Sequence, residues 1–458
     1  MARAKLAVVV LAAGLGTRMR STRPKVLHAV AGRPLIGHVI EQVASLRPDR
    51  TVVVVGPGMA AVGEAARVAA PKLPITTVVQ RDRRGTGHAV LQARRALAGF
   101  RGDVLVLVGD APLLQAEALR RLLAVRREGE GAAVAVLGMT LADPGGYGRL
   151  VAASRTTLER IVEARDADEA ERRITLCNSG IMAVDGSVLF DLLGKVRPDN
   201  AKREYYLTDI VALARAAGLR CAWTEASPAD LIAVNNRGEL AAAEAAMQAR
   251  LRAAAMENGA TFVDPASVWL SYDTVLGRDV TVGPCVVFGP GVRVADGVEI
   301  RAFSHLEGVR VGANAIIGPF ARLRPGADIG SNAHIGNFVE IKNARIGDGA
   351  KANHLAYVGD ARVGRAANIG AGTITCNYDG FAKHETDIGA NVFIGSNATL
   401  IAPVRVGDGA FVAGGSTITD NVPADALAFG RARQATVKSG AKSLRARLQR
   451  ATKSRKGR

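Results

Sequence analysis

Hydrophobic positions along the chain follow two different rules. Up to about residue 233, near-continuous Val/Leu runs at 6–11, 51–55, 75–79, 104–108 and 132–137 predict strands. Amphipathic segments at 35–46, 86–98 and 115–127 predict helices between them. Such alternation implies an α/β domain, Rossmann-like, with a mostly parallel sheet covered on both faces. Sheets of this kind bind ligands beyond the carboxyl ends of their strands.

From residue 276 the rule changes. Leu276, Val282, Phe288, Val294, Ile300 and Leu306 keep a spacing of six, usually with glycine following the anchor. So do Ile317, Leu323, Ile329, Ile335 and Ile341, and then Ile388, Ile394, Leu400, Val406, Val412 and Ile418. This period suits neither a helix nor an unbroken alternation. It suits a three-sided coil of short parallel strands, with the aliphatic anchor inside and a small residue at each corner. The phase slips after Ile341 and after Val358. Between Ile369 and Ile388, residues 376–385 read as a loop leaving the coil. Residues 239–257, without proline or glycine, predict a joining helix that stops near Gly259. The expected organisation is 1–235, a linker helix 236–260, a coil 261–437, and a basic, disordered tail 438–458.

Net charge is +18, and much of the excess lies in 438–458. No nucleic-acid recognition motif accompanies it, so polyphosphate substrates and a solvated tail account for the charge better than specific nucleic-acid binding. The four cysteines are scattered without a CxxC pair, which fits a reducing compartment and argues against structural zinc. Arg3 and Lys5 precede a short apolar run, but that run passes straight into Gly14-Leu15-Gly16 without a cleavage site. No run reaches the roughly 18–20 residues needed to span a bilayer. Cytoplasmic localisation without membrane insertion is expected.

Three segments carry candidate chemistry. The first strand runs into Leu11-Ala12-Ala13-Gly14-Leu15-Gly16-Thr17-Arg18-Met19, then Pro24-Lys25. Small residues there let backbone N–H groups approach phosphates, with Arg18 and Lys25 supplying charge. The string is neither a Walker A loop nor a GxGxxG fingerprint; read blandly, it is a glycine-rich turn. Gln80-Arg81-Asp82-Arg83-Arg84-Gly85-Thr86-Gly87-His88 follows a strand and opens a helix. Gln80 could read a base edge there, and His88 is read as structural. Asp110, in Val108-Gly109-Asp110, is placed either to hold Mg2+ or to cap a helix.

These strings resemble the sugar-nucleotide pyrophosphorylases. Gly146-Tyr147-Gly148-Arg149, Ile161-Val162-Glu163, Asn178-Ser179-Gly180, 204–209 (EYYLTD) and 234–237 (VNNR) narrow the likeness. Together with the hexapeptide region, up to about residue 437, the chain resembles the bacterial bifunctional N-acetylglucosamine-1-phosphate uridylyltransferase/glucosamine-1-phosphate N-acetyltransferases. The resemblance implies a left-handed parallel β-helix, a homotrimer with active sites between neighbouring coils, and Mg2+, UTP and acetyl-CoA as cofactor and co-substrates. It implies that Leu11, Ala12, Ala13, Gly14, Lys25, Gln80, Gly85 and Thr86 bind the uridine nucleotide, with Val108 and Gly109 beside them. Gly148, Glu163 and Asn178 would hold the sugar, and Asp110 and Asn235 the metal. Arg18 and Lys25 would neutralise charge during uridylyl transfer. Leu15 stands where the family often has lysine, and Val108 where it has an aromatic residue.

For the coil, the resemblance singles out His354 as general base, a role that a lone histidine would not suggest. Arg324, Lys342, Tyr357 and Asn368 would contact the sugar phosphate. Ala371, Asn377, Tyr378, Ser396, the Gly414 backbone and Arg431 would contact acetyl-CoA. Two other readings compete: a single-function pyrophosphorylase with the coil as scaffold, and a non-enzymatic repeat scaffold whose tail binds anionic polymers.

Overall fold

A computed structural model describes residues 4–154 and 156–456, the last three by backbone alone. Arg3 of the apparent leader, and Gly457 and Arg458 of the basic tail, lie outside the described residues. The chain divides into two compact units, Met1–Glu257 with Trp269–Asp273, and Asn258–Val268 with Thr274–Arg458.

The first unit is built on a nine-stranded sheet. Its main path runs Cys221–Glu225, Val134–Thr140, Leu176–Asp185, Asp103–Val108, Leu6–Ala12, Arg50–Val55, Ile75–Val79. Leu176–Asp185 is antiparallel to both neighbours, and the other strands on the path pair in parallel. Side chains of the central strand alternate between two cores. Leu6, Val8, Val10 and Ala12 join a cluster with Ile36, Ile40, Leu119 and Leu122. Ala7 and Val9 join another with Val52, Val54, Val106 and Leu207. Burial on both faces explains why these strands read as unbroken apolar runs.

Two predicted elements differ. The helix expected over 86–98 is α-helical only at Thr86–Leu91. The Gln92 side chain donates to the His88 carbonyl at 3.0 Å, and the Gln92 backbone N–H turns to Ala89 at 3.2 Å. Turns then replace the helix. The strand expected over 132–137 lies at Val134–Thr140.

Helix Arg237–Glu257, expected as a linker, belongs to the first unit. Ala243 packs with Met19, Val30, Leu35 and Leu113. The segment Trp269–Asp273 returns to the same unit. Gln248 donates to Leu270 O at 2.7 Å and accepts from Leu270 N at 2.8 Å, and the Tyr272 N–H reaches Ala31 O at 2.9 Å.

In the second unit, short strands stack in parallel onto equivalents one coil away: Thr281–Val282 on Glu299–Ile300, then Ile316–Ile317, then His334–Asn337. Anchors from Val282 to Ile418 are buried, and the residues preceding them mostly face out. The architecture is a parallel β-helix, and its interior is the aliphatic column that the sixfold spacing predicts. Within the stretch expected as a disordered tail, Gly440–Lys456 is helical. Ala, Leu, Arg, Lys and Gln are strong helix formers, which favours a helix here despite the like charge of the Arg and Lys residues.

Candidate active sites

In the first unit, the predicted nucleotide residues meet at the carboxyl edge of the sheet. A cavity of about 280 Å3 is lined by Leu11, Ala12, Ala13, Gly14, Lys25, Val26, Gln80, Arg83, Gly85, Thr86, Ala89, Val108, Asp110 and Glu204. Gly16 has φ 63°, and a Cβ there would lie 2.6 Å from Lys25 Cβ. The loop therefore passes close enough to aim Lys25 inward only because residue 16 has no side chain. Gln80 is buried and donates to the Gly85 carbonyl at 3.1 Å, tying the two ends of its loop together.

Lys25 Nζ hydrogen-bonds Asp110 and lies 3.1 Å from Asn235 Oδ1. A carboxylate oxygen and an amide oxygen thus converge on one cation. Asp110 also accepts the Val234 N–H through its backbone carbonyl at 2.9 Å, and Glu239 accepts the Asn235 N–H at 2.7 Å. Hard oxygen donors in this arrangement fit Mg2+, which takes few protein ligands and completes its shell with phosphates and water. Among the described residues no group of three or more His, Cys, Asp or Glu could hold a metal.

A second cavity of about 220 Å3 shares Leu11, Thr86 and Val108 with the first and adds Tyr147, Gly148, Glu163, Asn178 and Thr208. Burial pushes the Glu163 carboxyl up from its ordinary range, and the Thr208 hydroxyl, donating at 3.2 Å, counters this. Asn178 is fixed by its backbone N–H on Gly148 O at 2.8 Å, and its side chain accepts from Gly180 N at 3.0 Å. Gly109 sits behind the shared wall, its N–H on Leu11 O at 2.9 Å. Arg18 is exposed and lines neither cavity. Arg83 does line the first, although only its loop was legible in sequence.

In the second unit, Asn337 is paired in register with His354, and Lys351 with Asn368, three residues before His354 and Ala371. Backbone bonds from Asn397 N to Ala371 O (2.7 Å) and from Gly415 N to Ser396 O (2.8 Å) continue the column. Asn337, His354, Ala371, Ser396 and Gly414 therefore occupy one corner of successive coils. His354 is exposed, with Nδ1 2.6 Å from Asn337 Oδ1. The amide oxygen accepts, so in the neutral ring Nδ1 carries the proton and Nε2 presents the lone pair.

Beside this column lies a buried polar knot. Asp360 accepts from Asn343 at 2.6 Å and from Asn377, with Lys342 Nζ at 4.0 Å. Burial works against its charge, yet the two amides and Lys342 hold the carboxyl below its ordinary range. Asn377 Nδ2 also reaches the Tyr357 hydroxyl at 3.5 Å, so Lys342, Tyr357 and Asn377 are tied together through Asp360, a residue to which the sequence reading assigned no role. Arg324 pairs with Glu340 at 2.8 Å. Tyr378 lies on the 376–385 loop, bridged to Lys383, and Arg431 is exposed beyond the last strand.

These two constellations define the class: a nucleotidyltransferase joined to a hexapeptide-repeat acyltransferase. Residues 8–178 match the MobA-like NTP transferase domain, and 308–343 and 385–420 match the bacterial transferase hexapeptide. The chain is 59% identical to the bifunctional protein GlmU of Paramagnetospirillum magneticum, over 97% of this chain and 98% of that one. It is 58% identical to that of Rhodospirillum rubrum over 98% and 99%, and 50% identical to that of Zymomonas mobilis over 96% and 97%. The chain belongs to the bifunctional GlmU family. It is an enzyme with acetyltransferase and uridylyltransferase activities in UDP-N-acetylglucosamine synthesis.

Proposed function

We propose that the second unit acetylates glucosamine-1-phosphate from acetyl-CoA and that the first then transfers uridylyl from UTP to the N-acetylglucosamine-1-phosphate so formed. The observation carrying this reading is the coexistence of a base column in the coil and a nucleotide cavity in the sheet, each in its own unit. In acetyl transfer, Nε2 of His354 takes a proton from the sugar ammonium. The freed amine attacks the thioester carbonyl, the C–S bond breaks, and the proton that the nitrogen sheds as the amide forms goes to the departing sulfur, so coenzyme A leaves as its thiol. Arg324, Lys342, Tyr357 and Asn368 hold the sugar phosphate. Ala371, Asn377, Tyr378, Ser396, Gly414 and Arg431 hold acetyl-CoA; the corner column supports three of these assignments.

In uridylyl transfer, the sugar-phosphate oxygen attacks the α-phosphorus and pyrophosphate leaves. No protein nucleophile is needed, so the residues work by position and charge. Leu11–Gly14, Gln80, Gly85 and Thr86 seat the nucleotide, while Gly148, Glu163 and Asn178 orient the sugar. Asp110 and Asn235 would hold Mg2+, which when bound supplies charge neutralisation to the phosphates. Lys25, hydrogen-bonded to Asp110 and Asn235, would add its positive charge beside the phosphates.

Three copies assemble through the coil in this reading. In support, Phe303, Phe320 and Phe338 stack at 4.9 and 5.1 Å, remain 53%, 44% and 56% exposed, and continue into exposed Leu355, the neighbour of His354. An apolar column of this kind favours a protein partner. We place the enzyme in the cytoplasm. Among the described residues no helix is long and apolar enough to cross a membrane.

Product analysis by mass spectrometry tests the whole scheme. Given glucosamine-1-phosphate, UTP, acetyl-CoA and Mg2+, the protein should form UDP-N-acetylglucosamine, and none when acetyl-CoA is omitted. If none forms from glucosamine-1-phosphate and acetyl-CoA, yet product appears when N-acetylglucosamine-1-phosphate and UTP are supplied instead, the acetyl-transfer assignment falls and the uridylyl-transfer assignment stands.

A further inference from the structure

Two cations line the nucleotide cavity, Lys25 and Arg83. Lys25 is committed to Asp110 and Asn235. Arg83 pairs with no carboxylate among the described residues. Its Nε donates to the Ala13 carbonyl at 2.8 Å, beside the Gly14 turn. Its guanidinium lies over Gly56, where a Cβ would come within 2.4 Å of Nη2 and 3.2 Å of Ala13 O. The missing side chain at 56 is therefore the seat of the guanidinium. Both Nη groups remain without a protein partner among the described residues, next to the Ala13-Gly14 turn that lines the same cavity. Neither Leu15 nor Arg18 lines the cavity, so the first turn of the loop contributes no cation of its own.

We infer that Arg83 is a substrate-binding residue for uridylyl transfer, gripping the β- and γ-phosphates of UTP, which leave as pyrophosphate. This rests on the assignment of the cavity to UTP. A guanidinium held at Nε keeps its two Nη groups as a planar pair, the geometry that binds two phosphate oxygens at once. The tie to Ala13 fixes that pair against the loop before substrate arrives, so little side-chain freedom is lost on binding. Arg83 thus supplies phosphate-binding charge that the sequence alone would place on Arg18.

The full-length protein carries the test. Uridylyl transfer is assayed forward, with UTP and N-acetylglucosamine-1-phosphate, and in reverse, with UDP-N-acetylglucosamine and pyrophosphate. Arg83→Gln should raise KM for both UTP and pyrophosphate by about tenfold or more, the effect of losing a charge-assisted contact. KM for N-acetylglucosamine-1-phosphate should stay within about twofold, which also reports that the unit is folded. Gly56→Ala, which keeps Arg83 but fills its seat, should reproduce the pyrophosphate defect. An unchanged pyrophosphate KM in either variant, or an equal loss for UTP and the sugar phosphate, overturns the inference. A wild-type protein that turns over no UTP would overturn the cavity assignment instead.

Discussion

His354 Nδ1 lies 2.6 Å from Asn337 Oδ1, its partner on the preceding coil. The contact fixes both the tautomer and the ring angle of the proposed base. Replacing Asn337 with Ala should therefore lower kcat for acetyl transfer by about tenfold to a hundredfold, with uridylyl transfer unchanged. Asn337→Asp should move the acid limb of the pH–rate profile to higher pH, because an adjacent carboxylate favours the imidazolium. A profile that does not move would show that the contact is not felt at the ring.

His354→Ala should abolish acetyl transfer and spare uridylyl transfer, and Asp110→Asn should do the reverse. Equal loss of both activities in either variant would contradict their assignment to separate units. In Asp110→Asn the Mg2+ concentration needed for half-maximal rate should rise by about tenfold or more, since a neutral amide is a weaker ligand for a hard cation. Titration of the residual activity with Mg2+ measures this directly.

Gly85 has φ 103°, and a Cβ there would stand 2.6 Å from the Tyr205 carbonyl. Neither the backbone angle nor the space admits alanine. Gly85→Ala should push the 80–86 loop away from the 204–209 segment and cut uridylyl transfer by about a hundredfold, as for other displacements on the ångström scale. Acetyl transfer assayed on the same preparation should be normal.

Asp209 is pushed up to about 6, first by burial and then by the nearby Glu163 and Asp166 carboxylates. The folded state thus keeps a proton that the unfolded chain has already lost. Stability contributed by the protonated form is full below pH 4 and declines as pH rises through about 6. Asp209→Asn should consequently stabilise the first unit at pH 7 by about 1–2 kcal/mol, a figure reduced for partial solvent exposure, and by nothing near pH 4. Calorimetric transitions of the two proteins at both pH values would decide it.

How much was legible beforehand depended on how local each feature is. Strand 6–11 could be read because one parallel strand buries both of its faces, leaving an apolar run. The coil could be read because every anchor repeats the same local environment six residues on. Helix 86–98 could not, because a side chain of its own, Gln92, takes the carbonyl that would have continued it. The return of Trp269–Asp273 to the first unit was invisible, since it depends on a two-way bond between Gln248 and Leu270, 22 residues apart. Arg83 was in plain view among four charged residues, and only its seat over Gly56 sets it apart.

By itself, the sequence determined the two architectures and the glycine-rich turn after the first strand, for which period, glycine placement and short-range chemistry suffice. The tertiary structure alone decided which distant groups meet. Lys25 meets Asp110 and Asn235 across 85 and 210 residues because the segments after the paired strands Leu6–Ala12 and Asp103–Val108 open at one edge, and the Val234 N–H bond to the Asp110 carbonyl brings Asn235 there. Asn337, His354, Ala371, Ser396 and Gly414 form a column because the coil closes with unequal turns. A protruding loop at 376–385 shifts the spacing without breaking the ladder. Register across coils is set by backbone pairing and the buried anchors acting together, and no local pattern along the chain contains it.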